Sequence, residues 1–515
     1  MHLRYMSLLC VLLVIKAVLM IEVILHAGIG LGPDEAQYWT WSRLLDWGYY
    51  SKPPGIAWEI WIGTQLFGNN ELGVRMPAVV IGFCLPLLVY RMARNCGLTP
   101  QTCFWSALTI ALSPIGIMSS FLAITDGGMI LFWTATCTYL AGMIQQNRTP
   151  NYLILGLLIM CGALFKWPIY LLWLLVLLSW SLFPWLASWR ILLGCVVSLL
   201  ALLPSIYWNA EHEWGTFRHV LATLAGGHAA PKVGVILQGN LFEFMGAQAA
   251  IVSPILFVLL VLALVRMVKD RHSVPVGVIF CGGITLVILT MALVVSFFMK
   301  LQGNWAIYAY PSVFVVLGWY GCEALEKGKR WLYAGVTISV LACSFVFSLP
   351  FIQAEGVGSQ YPIPYRINPF RHNVGWNQLT KELLLAGYDA QQDFLFGDKY
   401  QMASILSFYG PDQKRAYFLN LHGTRKNQFS FWPSMAQEQV GKRGFFVVVE
   451  NMPHLAKAQP VLVDTTQELL KEYFKEVHFH GVVPLFWAYG QMVKGALIFE
   501  CVSYNGLQPE GAMLY

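Results

Sequence analysis

The sequence predicts a polytopic α-helical membrane protein of about eleven spans, followed by a small extracytoplasmic α/β domain. Three observations carry this. Of the 515 residues, 57% are hydrophobic and 12% charged, against about 25% charged in soluble domains. Apolar runs long enough to cross a bilayer recur through the first two thirds of the chain. From residue 353 the pattern changes to short strand-like runs alternating with amphipathic helical stretches.

A span needs about 20 apolar residues. Reading along the chain, the runs are 6–30, 73–91, 102–123, 127–144, 151–165, 168–184, 190–208, 246–266, 274–298, 305–323 and 331–352. The first lacks a small-residue cleavage site and reads as a span, not a signal peptide. The fifth and sixth are short, split by Lys166-Trp167-Pro168, and read as two short helices or one broken one. Short connections carrying Arg91, Arg94, Arg148, Arg190, Arg266, Lys269 and Arg271 alternate with longer loops poorer in positive charge. Positive charge favours the cytoplasm, so the N-terminus is expected inside. The 31–72 loop and, with an odd number of spans, the tail then face outside.

The loop 31–72 is the organising stretch. It contains PDEAQYWTWSRLLDWGYYSKPPGIAWE at 33–59, with six Trp and Tyr between 38 and 50, rings that favour the membrane–water interface. Asp34 and Glu35 follow Gly32-Pro33 at the mouth of the first span. Lys52 precedes Pro53-Pro54, which restricts the bend on which it sits. The loop reads either as an interfacial connector with solvated charges or as a catalytic loop, since carboxylates beside a bilayer are functional candidates. Asp126, Lys166, the stretch 209–233 with Arg218 and His228, and the linker Lys300-Leu301-Gln302-Gly303-Asn304-Trp305 are all expected on the same side.

The tail, 353–515, reads as an α/β domain distinct from the membrane domain 1–352. Strands are expected at 393–396, 415–419, 444–450, 476–480 and 496–501, and helices at 376–387, 399–409 and 465–474, with Asp398 as the cap of the second. Ten of the eleven cysteines precede residue 344, mostly inside apolar runs, where a thiol behaves as a small hydrophobe. No Cys/His spacing points to a metal. The net charge of +6 suits an anionic membrane surface, and no basic cluster points to nucleic acid.

Seven stretches, in order, carry a resemblance over most of the chain: DEAQYWTWSRLLDWGYYSKPPGIAW with GTQLFGNNELGVRMPAVV, TDGGMILFW, LFKWPIYLL, PSIYWNAEHEWGTFRH, GNWAIYAYPS, GDKYQMASILSFYGP and NQFSFWP. Together they resemble the polyprenyl-phosphate-sugar glycosyltransferases of GT-C fold. These are relatives of the dolichyl-phosphate-mannose–protein mannosyltransferases and of the aminoarabinose transferases that modify lipid A.

The resemblance implies a bacterial inner-membrane enzyme. It would move a sugar from a polyprenyl-phosphate donor to an envelope acceptor, lipid A or another lipid-linked glycan. The resemblance favours no metal or cofactor, and with no ligand set in the sequence the need for a metal stays open. Asp34 then matches the acceptor-side carboxylate, with Glu35 beside it. Asp126 matches the turn aspartate of relatives, although Thr125 stands where they have proline. Its bland reading is a turn-forming residue. Lys52 matches the Lys-Pro position, a point charge suited to phosphate. Lys166 is a second cation or a snorkelling anchor. Arg75, Arg218 and Lys300 are further cations. His228 is a donor contact or a solvated loop residue, and Asn304 and Trp305 are a sugar-binding pair or a span anchor. Single displacement without a covalent nucleophile implies inversion.

Three rivals remain open at this point: a protein O-mannosyltransferase, a non-catalytic envelope assembly factor, and a transporter. A transporter would tend to show paired repeats and polar groups near the bilayer midplane. Here no repeat stands out, and the charges gather on one face.

Overall fold

A computed structural model describes residues 1–224, 239–452 and 454–509. The chain opens with α1 (His2–His26), a short α2 (Pro33–Arg43) and α3 (Gly55–Phe67), then α4 (Glu71–Asn95). It continues through α5 (Pro100–Leu112), α6 (Pro114–Met118), α7 (Thr125–Gln145), α8 (Tyr152–Ala163) and α9 (Leu171–Ser179). Next come α10 (Ile191–Leu199), α11 (Leu202–Glu211), α12 (Gly215–Leu224), α13 (Leu241–Val252), α14 (Pro254–Lys269), α15 (Val276–Phe298), α16 (Tyr310–Trp319) and α17 (Gly328–Ala354).

Each expected apolar run is helical, but eleven is not the number of helices fit to span. Among the described residues six are long and apolar enough, or seven if the bent pair α13–α14 is one span. The reason lies in the breaks. Ser113-Pro114 divides the 102–123 run between α5 and α6. Ser253, at φ 99° before Pro254, turns the 246–266 run through 102°. A 3₁₀ segment, Gly303–Ala309, shortens the 305–323 run. The split at Lys166 is present: α8 ends at Ala163, and a 3₁₀ turn at Trp167–Tyr170 leads into α9.

The tail is built on α18 (Trp376–Leu385), β1 (Phe394–Gly397), α19 (Tyr400–Tyr409), β2 (Tyr417–Phe418), α20 (Met435–Glu438), β3 (Gly444–Asn451), α21 (His454–Lys471), β4 (Phe474–Ala488) and β5 (Gln491–Tyr504). The strands form one sheet in the order β2-β1-β3-β5-β4. β1 pairs in parallel with β2 and β3, while β5 runs antiparallel to β3 and β4. β4 and β5 are far longer than the sequence patterns indicated. They form a hairpin closed by Tyr489-Gly490, both at positive φ, the backbone that matches hairpin twist. Asp398 does not cap α19. Lys399 occupies the cap position without a side-chain bond, and Asp398 pairs with His422 at 3.1 Å.

The helical part and the tail share a hydrophobic core. Trp39, Trp41, Tyr49, Ile56 and Val74 pack in one cluster with Trp376, Leu379, Leu406, Phe408 and Phe445. A separate large core, rich in Leu, Ile and Val, fills the helical bundle.

Candidate active site

The organising loop is rigidly framed. Pro33 opens α2, and Glu35 in its first turn reaches back to accept from the Gly32 N–H at 2.9 Å. The same carboxylate holds the Arg75 guanidinium by two bonds, 3.0 and 2.8 Å, and accepts from the Ala123 N–H at 3.1 Å. Arg75 also donates to the carbonyls of Ile29 and Gly30, both at 2.8 Å, and lies over the Phe121 ring. Arg75 is 0% exposed and Glu35 2%. This corrects the expectation that Arg75 is a cation for a substrate phosphate. Its donors serve Glu35 and two carbonyls, and the pair fastens α1, α2, α4 and the start of α7 together. Glu35 is likewise spent on positioning α2.

One residue before Glu35, the Asp34 carboxylate makes no hydrogen bond or ion pair among the described residues. It is open to solvent yet recessed among protein atoms. The depth of that recess governs its solvation, so burial raises its pKa. Lys52 pulls it down and Glu35 raises it further. Tyr38, one turn along α2, is 6% exposed and lies near Asp34, Asp126 and Tyr400.

Lys52 is held by backbone pairing of its own peptide with Tyr49, at 3.2 and 3.4 Å. Its ammonium is half-buried and has no hydrogen-bond partner among the described residues. Burial pushes its pKa down. Nearby Lys166 also lowers it, Asp126 and Asp34 raise it, and Arg425 lowers it. Lys52, Lys166, Asp126, Asp34 and Arg425 therefore form one electrostatic cluster.

Lys166 and Asp126 meet directly: Nζ lies 2.7 Å from Oδ1, and the side chains are 20% and 6% exposed. Asn304 Nδ2 reaches the other oxygen of Asp126 at 3.4 Å. Gly55 N–H donates to the Leu164 carbonyl at 2.8 Å, which ties the Lys52 bend to the Lys166 segment. A Cβ at Gly55 would stand 2.7 Å from that oxygen, so only glycine permits this approach.

The other expected residues are more dispersed. Trp305 is half-buried and packs against the bundle core. Lys300 and Arg218 are exposed. His228 lies outside the described residues.

Sequence reasoning missed Tyr400 and Arg425, which come from the tail. The Tyr400 hydroxyl lies beside Arg425. Burial raises the hydroxyl's pKa, Asp34 raises it too, and the Arg425 charge draws it down. Tyr400 stands inside GDKYQMASILSFYGP and Arg425 two residues before NQFSFWP, so the motifs were visible although their roles were not. In the second motif Gln428 Oε1 accepts from the Tyr50 N–H at 2.7 Å. Asn209 caps α12 at Thr216, whose hydroxyl donates to the Tyr49 carbonyl at 3.1 Å. The loop is thus clasped from both sides.

The family model for dolichyl-phosphate-mannose-protein mannosyltransferase matches residues 51–208. The lipid A galacturonosyltransferase RgtD of Rhizobium johnstonii is 28% identical over 380 residues, covering 73% of this chain and 76% of that protein. The undecaprenyl phosphate-alpha-4-amino-4-deoxy-L-arabinose arabinosyl transferase of Pseudomonas aeruginosa is 31% identical over 196 residues, about a third of each chain. ArnT from Cupriavidus metallidurans, in the crystal structure bound to undecaprenyl phosphate, superposes with a TM-score of 0.59 at 14% identity. That superposition covers 95% of this chain and 97% of that one. The chain is thus similar in sequence to named glycosyltransferases and shares the fold of ArnT.

The ArnT-like fold extends over nearly the whole length of the chain. The family-model match begins at Ser51, beside Lys52, and takes in Asp126 and Lys166.

Proposed function

We propose that this protein is a glycosyltransferase that moves a sugar from a polyprenyl-phosphate carrier onto lipid A or another lipid-linked envelope glycan, at the outer face of the bacterial inner membrane. The observation that carries the reading is the cluster itself. Asp34 and Lys52 are opposite charges without side-chain partners among the described residues, beside the fixed Asp126–Lys166 pair. The named activities of the galacturonosyltransferase and the aminoarabinose transferases support the donor and acceptor classes. The charge asymmetry of the loops supports a cytoplasmic N-terminus and an external 31–72 loop, and the core that the tail, 353–515, shares with that loop supports its lying on the same side.

In the proposed step an acceptor oxygen attacks the anomeric carbon, and the bond from that carbon to the carrier phosphate breaks. The carrier leaves as polyprenyl phosphate with the bonding pair. Lys52, with Lys166 behind it, stabilises the charge that grows on the leaving phosphate. If the acceptor is a hydroxyl, its proton goes to Asp34. If it is a phosphate monoester, no proton need move, and Asp34 orients the acceptor. Asp126 holds Lys166 in place, and Asn304 holds Asp126. A single displacement inverts the anomeric carbon.

The test is mass spectrometry of lipid A and other envelope glycans from cells with the gene, without it, and with an Asp34→Asn copy. A sugar-sized mass lost in both altered strains is the expected result. Loss from proteins instead would replace the acceptor with a peptide hydroxyl. Wild-type glycans with Asp34→Asn would remove Asp34 from the chemistry.

A further inference from the structure

The tail sheet reverses its winding between β1 and β3. From β1 the chain passes through α19 to β2 on one side, and then returns to β3 on the other side of β1. In open sheets with parallel strands, ligands bind at the carboxyl ends of the strands where the order reverses. A cavity of about 370 Å³ lies at this place, between Asp398 and Lys399 after β1 and Val448, Val449 and Asn451 of β3. Its rim includes Pro33, the residue before Asp34.

The lining is chemically specific. Lys494 reaches it from β5 and is 2% exposed. Its ammonium donates to the Val374 carbonyl at 2.8 Å and rests 3.4 Å from the centre of the Trp376 ring. No other hydrogen bond is made by it among the described residues, so donors remain. A buried ammonium with one neutral acceptor is costly, and burial pushes its pKa down to about 7. Asn451 Oδ1 is buried at the same cavity without a partner among the described residues. The first turn of α19 adds backbone N–H groups with no side-chain cap. Asp398, turned to His422, and Gln401 supply polar groups of the kind sugar hydroxyls bind.

We infer that this cavity is a subsite for an anionic saccharide, a sugar bearing a phosphate or a carboxylate, held beside the catalytic recess. The anion meets Lys494, the exposed Lys399 and the α19 N-terminus. The ring hydroxyls meet Asp398, Gln401 and Asn451. The assignment rests on the glycosyltransferase reading for what the subsite serves, but binding there is measurable without turnover.

The experiment is hydrogen–deuterium exchange of the full-length protein in nanodiscs, with glucosamine 1-phosphate, galacturonate or glucose added. Protection is expected at 398–405 and 448–451 with an anionic sugar and not with glucose. Lys494→Met should weaken the apparent affinity about tenfold or more, the scale of one charge-assisted contact. Lys399→Ala, at an exposed position, should weaken it less and preserve the fold if Lys494→Met does not. Preference for the phosphate probe assigns the subsite to a phosphorylated acceptor, and preference for the carboxylate probe to an acidic transferred sugar. Equal protection by glucose, no protection by any probe, or protection unchanged in both variants would overturn the inference. Transfer activity, scored separately, tells this failure from failure of the glycosyltransferase mechanism.

Discussion

At the scale of single residues, the site separates groups that are committed from groups that are free. Glu35 and Asp34 are neighbours in sequence, yet one carboxylate is engaged on both oxygens and the other on neither. Replacing Asp34 by Asn removes a base or an orienting charge while keeping its shape. We expect kcat to fall about 10²–10⁴-fold with unchanged expression and folding, measured as radiolabelled sugar transferred in detergent. The pH profile follows from the two free charges. Burial raises the Asp34 pKa, so its ionised form is lost on acidification at higher pH than for an ordinary carboxylate. Burial lowers the Lys52 pKa, so its charge is lost on alkalinisation below the ordinary 10.5. Turnover should therefore peak between two limbs drawn towards each other. Lys52→Arg should move the alkaline limb upward, because arginine stays charged, and leave the acid limb in place. An alkaline limb that stays put in this variant would place another group there.

At the scale of elements, the buried Glu35–Arg75 pair is the fastening. Removing one partner of such a pair costs about 3–5 kcal/mol, because the other charge stays buried alone. Arg75→Met should lower the thermal midpoint in detergent and open the 31–72 loop to protease. Adding Glu35→Gln should recover only part of the loss, since the carboxylate also serves the Gly32 and Ala123 N–H groups. Full recovery would mean that the backbone contacts contribute little. This pair also shows what the sequence reveals and what it withholds. Glu35 and Arg75 were both legible as charges near an apolar boundary, but nothing in a linear pattern says that two charges 40 positions apart will neutralise each other. Asp126 and Lys166 behave alike: each was readable as an acid or a cation, and their 2.7 Å contact was not. Helix existence followed the apolar runs well, because composition over 20 residues averages out local detail. Breaks at Ser113-Pro114 and Ser253-Pro254 hinge on one or two residues, and they lower the number of unbroken helices long enough to span.

At the scale of the whole molecule, the loop and the tail are one folding problem. Tyr409 in α19 donates to Glu71 Oε1 at 2.8 Å and accepts from the Leu31 N–H at 2.7 Å. Trp39 stands edge-on to Phe408, with ring centres 4.9 Å apart. The sequence announced a tail by its change in composition, but not that the tail would supply Tyr400 and Arg425 and half of the loop's core, because packing partners leave no periodic signal. A chain ended at residue 352 would leave Trp39, Trp41 and Tyr49 without Trp376, Leu406 and Phe408. Each large apolar side chain so exposed forfeits about 1.5–3 kcal/mol, a large share of the stability of one loop. We therefore expect the truncated protein to insert into the membrane through α1, α4 and the later long helices, whose apolar surfaces do not depend on the tail. Its 31–72 loop should be cut by protease at concentrations that leave the full chain intact, and sugar transfer should be absent. A protected loop in the truncated chain would show that Glu35–Arg75 alone suffices to hold it, and would confine the tail's part to Tyr400, Arg425 and the cavity beside Pro33.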